Sequence, residues 1–152
     1  RRFHPYEEPA IDVYELVAQP RRSVGAGRRV TLDQPATLRE LGERMKTRIG
    51  CAIVKLAAVA DPDEEVRMVG VCPGAGASLA PEAAAENCEV FVTGEMKHHE
   101  VLEYIHGGMS VLLGGHTSTE RGYLPRLAKR LAQLAGGTFE VSEVDRSPLI
   151  PL

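Results

Sequence analysis

The sequence predicts an α/β protein, a largely parallel sheet covered by helices. Three observations carry that prediction. From about residue 66 onward, short apolar runs alternate with helical patterns. Glycine-containing turns follow three of those runs, at Gly74, Gly94 and Gly115. The chain has 152 residues, enough for one domain, or a domain and part of another, with a core of its own. Composition narrows the function. Eighteen basic against 21 acidic residues leave a formal charge of −3 and no nucleic-acid footprint. No apolar run approaches the roughly 18 residues of a membrane helix. The chain starts at Arg1 without a signal-peptide pattern, which reads as a piece of a longer, cytoplasmic protein. Cys51, Cys72 and Cys88 each border an apolar run and read as buried thiols in a reducing compartment.

Taken in order, residues 1–33 have a character of their own. His4-Pro5-Tyr6-Glu7-Glu8-Pro9 is irregular, because each proline restricts the residue before it. Ile11-Asp12-Val13-Tyr14-Glu15-Leu16 alternates like a strand with one wet face. Arg21-Arg22-Ser23-Val24-Gly25-Ala26-Gly27-Arg28-Arg29 reads as an exposed basic hairpin loop, since its glycines match no phosphate fingerprint. Residues 31–35 read as a boundary. A helix follows to about Ile49, with Thr37 and Glu40 as a capping box and Gly50 as its stop.

Residues 51–57 and 66–71 read as strands, separated by the turn Asp61-Pro62-Asp63. The turn at residues 73–78 leads into an alanine-rich helix to about Glu86, with Ser78 as its expected cap. Its Gly74-x-Gly76 is half a dinucleotide fingerprint and reads as a tight turn. Glu89-Val90-Phe91-Val92 is the next strand, and residues 100–106 a helix closed by Gly107-Gly108. Met109-Ser110-Val111-Leu112-Leu113 is a strand into Gly114, and Leu124, Leu127, Leu131 and Leu134 mark a helix to about Ala135. Residues 138–142 read as a last strand, with Pro148 and Pro151 forbidding regular structure beyond it.

The chemistry gathers in the turns. Gly74, Gly94 and Gly115 all fall at carboxyl ends of strands, the edge where open α/β sheets bind ligands. His98, His99 and His116 are therefore expected at one rim. His116 and Glu120 are four apart, and on one helix face they could hold one divalent ion, zinc, manganese or iron. Thr117-x-x-Glu120 reads equally as a capping box, which would spend that carboxylate on the backbone. Of His98 and His99, one could be a site neighbour or proton shuttle while the other is solvated. Glu95 is a candidate general base in metal-assisted hydrolysis, or a carboxylate satisfying helix N–H groups. His106 fits the end of a helix, where it complements the dipole.

Together these segments resemble the NIF-three-like family, whose bacterial members are often labelled type-two GTP cyclohydrolase I. The resemblance rests on His4-Pro5-Tyr6-Glu7-Glu8-Pro9-Ala10, Val54-Lys55, Gly74-Ala75-Gly76-Ala77-Ser78 and Thr93-Gly94-Glu95-Met96-Lys97-His98-His99. It continues through Gly115-His116-x-x-x-Glu120-Arg121-Gly122 and Ser142-Glu143-Val144-Asp145-Arg146-x-Pro148-Leu149, in the right order and over nearly the whole chain. It implies a three-layer α/β core with a dinuclear metal centre, assembled into homohexamers. It makes residues 1–33 the tail of an inserted ferredoxin-like α+β domain and residues 34–152 the carboxyl half of the core. It places metal ligation on His116 and Glu120, with the remaining ligands in an amino half that this sequence lacks. Two functions follow as expectations. One is a metal-dependent hydrolase acting on a small molecule or nucleotide, GTP by the family label. The other is a non-enzymatic metal-binding protein, a metal chaperone or a partner of a transcription regulator.

Overall fold

The computed structural model describes Tyr14 and residues 25–149. The segments around His4 and most of the expected strand at residues 11–16 lie outside the described residues. Five strands form one sheet in the order β1-β3-β4-β5-β2. These are β1 (Arg28–Thr37), β2 (Lys55–Ala57), β3 (Glu65–Cys72), β4 (Val90–Thr93) and β5 (Ser110–Leu113). The three central strands are parallel, and the two edge strands run antiparallel to their neighbours. The sheet is therefore mixed, with the expected parallel order confined to its centre.

Helix α1 (Leu38–Ile49) matches its sequence signals closely. The Thr37 hydroxyl accepts from the Glu40 N–H at 3.1 Å, and the Glu40 carboxylate accepts from the Thr37 N–H at 3.1 Å. Gly50, at φ 65°, takes the left-handed turn that ends it. α1 covers one face of the sheet through Leu38 and Leu41, which join Ala36, Val66, Val69, Val90 and Leu112 in one apolar cluster. The opposite face is covered by α2 (Ala80–Ala85) and α3 (His98–His106), over a second cluster of Cys72, Ala80, Cys88, Phe91 and Met109. The result is three layers, with all three cysteines free and buried. Among the described residues no helix is long and apolar enough to cross a membrane.

Several elements differ from the sequence expectation, each for a physical reason. β1 runs straight through residues 31–35, where Pro35 suggested a boundary. It is an edge strand whose register shifts between Thr31 and Ala36, so a missing N–H costs no ladder bond. The strand expected over residues 51–57 shrinks to Lys55–Ala57, because its partner β5 ends at Leu113. Ser78 caps nothing; the chain enters α2 through a 3-10 turn (Gly76–Leu79) with Pro81 in the first helical turn. α3 starts two residues earlier than expected. The long last helix is two, α4 (His116–Arg121) and α5 (Leu124–Ala135). Pro125 lacks the N–H needed to continue α4 and would crowd the carbonyl four residues back. Residues 138–142 form no strand. Phe139 and Val141 instead line a crevice against Leu124, Leu127 and Leu131 of α5.

Candidate metal centre

The carboxyl ends of β3, β4 and β5 form one rim, stitched together by backbone. The Gly74 carbonyl accepts from the Gly94 N–H at 2.9 Å and the Glu95 N–H at 3.1 Å. The Gly94 carbonyl in turn accepts from the Gly115 N–H at 2.9 Å. Two threonines complete the frame. The Thr93 hydroxyl, buried at the end of β4, donates to the Gly74 carbonyl at 3.1 Å and accepts from the Gly76 N–H at 3.0 Å. The Thr119 hydroxyl, on α4, accepts from the Gly74 N–H at 2.9 Å. Sequence reasoning assigned neither threonine a role. The only available signal was that Thr93 precedes Gly94 and Thr119 follows Gly115 by four residues, which spacing does not distinguish from an ordinary strand or helix threonine.

This packing leaves no room at the turns. A Cβ on Gly94 would lie 2.6 Å from the Gly74 carbonyl oxygen. A Cβ on Gly74, already at φ 68°, would lie 2.2 Å from the Glu120 Oε1 and 3.3 Å from the His116 Nε2. Gly74 thus forms the floor on which the imidazole and the carboxylate meet.

His116 is the first residue of α4, and its ring is held between two carboxylates. Nδ1 lies 2.9 Å from a Glu95 carboxylate oxygen, and Nε2 lies 3.3 Å from a Glu120 oxygen. All three side chains are about half exposed, at 44% for His116, 54% for Glu95 and 52% for Glu120. The hydrogen bond to Glu95 raises the His116 pKa above the ordinary histidine value; desolvation opposes this, and the charges of Glu120 and Glu95 add to it. When the ring is protonated, both N–H groups face carboxylates. When it is neutral with Nδ1–H donated to Glu95, the Nε2 lone pair and the Glu120 carboxylate converge on one position. A carboxylate on the far ring nitrogen is the usual means of fixing a ligating histidine.

The Thr117–Glu120 capping box does not form. Gly115 occupies the cap position with no side-chain cap bond, and the Glu120 carboxylate turns to His116. His98 and His99 are exposed on the first turn of α3, and no hydrogen bond or ion pair joins either to His116 among the described residues. Glu100, not a histidine, serves that helix start by accepting from the Lys97 N–H at 2.7 Å. His106 lies in the last turn of the same helix. Glu95 and His116 open onto a cleft of about 640 Å³ that is also lined by Lys55, Ser118 and residues 147–149. Among the described residues no group of three or more His, Cys, Asp or Glu side chains is arranged to hold a metal ion. One imidazole and two carboxylates suit a divalent cation chemically. The cradle over Gly74 suits it sterically, but it is short of a full ligand set.

Comparison with known proteins decides the family. The model of Duf34/NIF3 (NGG1p interacting factor 3) matches residues 2–148. The chain belongs to the Duf34/NIF3 family. NIF3-like protein 1 of Drosophila melanogaster is 39% identical over 141 residues, covering 90% of this chain and 45% of that protein. A Mycobacterium tuberculosis protein named GTP cyclohydrolase 1 type 2 homolog is 34% identical over 142 residues, covering 93% of this chain and 37% of that protein. The chain thus spans less than half the length of these NIF3 relatives. Among solved structures, Staphylococcus aureus protein SA1388 superposes with a TM-score of 0.75 at 22% identity, over 99% of this chain and 49% of the other. A Bacillus cereus protein related to NIF3 gives 0.69 at 23% identity, over 84% and 36%. These two show the shared α/β fold.

Proposed function

We infer that this NIF3 chain carries part of a divalent-metal site and that the complete protein is a metal-dependent hydrolase. One observation supports the reading above the rest: the His116 ring is fixed by Glu95 on one nitrogen and presents the other beside Glu120. Glu120 and His116 are the residues that would hold a metal. Glu95 orients the ring and, at the mouth of the cleft, is placed to take a proton from a hydrolytic water. Zinc, manganese or iron, two per complete site, would supply Lewis acidity and ease the ionisation of water. The remaining ligands belong to parts of the protein beyond this chain. The reading extends to a cytoplasmic homohexamer, on the resemblance stated above. The cyclohydrolase name of the mycobacterial relative makes GTP the first substrate to try.

The test is elemental analysis of the full-length protein, purified without chelator, beside its His116→Ala variant. About two metals per chain, falling in the variant while the fold persists, is the expected result. Equal metal content in both removes His116 from the site.

A second reading, a metal-binding interaction protein without turnover, has support of its own. The apolar face of α5 is left partly uncovered, with Leu127 and Leu131 each 37% exposed and Leu134 81%. Tight metal binding with no turnover across a nucleotide panel would favour it. Metal-dependent turnover lost in Glu120→Gln would favour the enzyme.

A further inference from the structure

Lys55 stands out in the cleft beside His116. It is the first residue of β2 and pairs in register with Leu113, the last residue of β5. The chain then turns through Gly114 and Gly115 into His116, so Lys55 sits at the same rim as the candidate ligands. It is the one lysine or arginine among the residues lining that cleft. Lys55 forms no ion pair among the described residues, although Glu95 lines the same cleft. The hydroxyls of Thr117 and Ser118, which also line it, make no hydrogen bond among the described residues. The cleft therefore holds one uncommitted ammonium and two uncommitted hydroxyls, next to a group of side chains with cation-binding chemistry.

We propose that Lys55, with Ser118 in the same cleft, is the oxyanion-binding end of the site: the substrate carries a phosphoryl or carboxylate group that Lys55 neutralises while its reacting part lies against His116 and Glu95. The second half of that statement rests on the proposed function; the first does not. An ammonium donates to oxyanions as a compact point charge, and a hydroxyl adds a directed donor. The half-open cleft, at about 640 Å³, admits a small molecule of that kind rather than a bare ion.

The experiment uses the full-length protein, stripped of metal by chelator, in sodium phosphate or sodium acetate series at constant ionic strength. Apparent affinity is read from the rise in Tm with anion concentration. Wild type is expected to respond, Lys55→Met to bind about tenfold more weakly, Lys55→Arg to retain most of the response, and Ser118→Ala to fall between. A response to phosphate alone assigns a phosphoryl group, and an equal response to acetate assigns a carboxylate. The proposal is overturned if wild type responds to neither anion, or if Lys55→Met responds as wild type does. Metal content of the unstripped samples separates the two readings. Lys55→Met should keep the wild-type metal, because it is no ligand. A Lys55-dependent anion response in a protein that holds no metal would remove the metal reading and leave this one standing.

Discussion

Gly74 is where a single hydrogen separates a site from a clash. Its φ of 68° alone costs a substituted residue about 1–2 kcal/mol, and the added methyl must also displace Glu120. Gly74→Ala should therefore lower Tm and weaken metal binding together. Calorimetry and metal titration on one preparation would check it, and unchanged metal affinity would mean Glu120 is not held there. Gly122 is the opposite case: its φ of −57° is helical and a Cβ would meet nothing. Gly122→Ala should stabilise by about 0.4–1 kcal/mol through the unfolded state, read as a higher urea midpoint. Burial pushes the thiols of Cys72 and Cys88 above the ordinary cysteine value. Since the folded state raises these pKa values, the stability it gains is fully present below the unfolded thiol pKa. That gain is lost as pH rises through the folded pKa. Both thiols should react slowly with an alkylating reagent at neutral pH, and the urea midpoint should fall on moving to strongly alkaline buffer. Rapid native-state labelling of both would contradict the burial.

At the scale of elements, the sequence was most legible where local chemistry decides the outcome. Thr37, Glu40 and Gly50 fix both ends of α1 through bonds within four residues, so spacing alone placed them. Thr37→Ala should cost about 1 kcal/mol, measured as a shift of the chemical denaturation midpoint without a change in slope. The sequence was least legible where a partner decides. Residues 138–142 carry a strand's alternation, but they join neither edge of the sheet, and Phe139 and Val141 line the crevice against α5 instead. The Thr117–Glu120 spacing fits a cap and the His116–Glu120 spacing fits a pair on one helix face, and spacing alone does not choose between them. Arg121 illustrates the same limit. It pairs with Asp145 and so ties the segment after α5 back to α4, one residue beyond Glu120. An exposed pair contributes little to global stability. Arg121→Ala should accordingly leave Tm nearly unchanged while speeding proteolytic cleavage after residue 141. Unaltered cleavage would show that the crevice against α5 alone holds the tail.

At the scale of the whole molecule, the rim follows from topology. Three parallel strands put their carboxyl ends on one edge, and the glycines at 74, 94 and 115 are the points where that edge is stitched. The position of the candidate site was therefore readable, and so was the pairing of His116 with Glu120. The completeness of the site was not, because spacing does not tell which side chains converge on one position, and among the described residues no group of three or more His, Cys, Asp or Glu does so. One imidazole and two carboxylates, with one of these held to the far ring nitrogen, leave at most two donors facing a common position. Two donors cannot replace the water shell of a divalent ion at the four- or six-coordinate positions such ions prefer. This chain alone should therefore bind zinc far more weakly than the full-length protein does, by at least about a hundredfold if each missing ligand matters as much as an outer-shell partner. A competitive titration against a fluorescent chelator, run on both proteins at one pH, measures the difference directly. Equal affinity would mean that the missing ligands are supplied from within the chain or by a second copy of it. Testing dependence on protein concentration separates those sources, since affinity gained from a second copy rises as the chains associate.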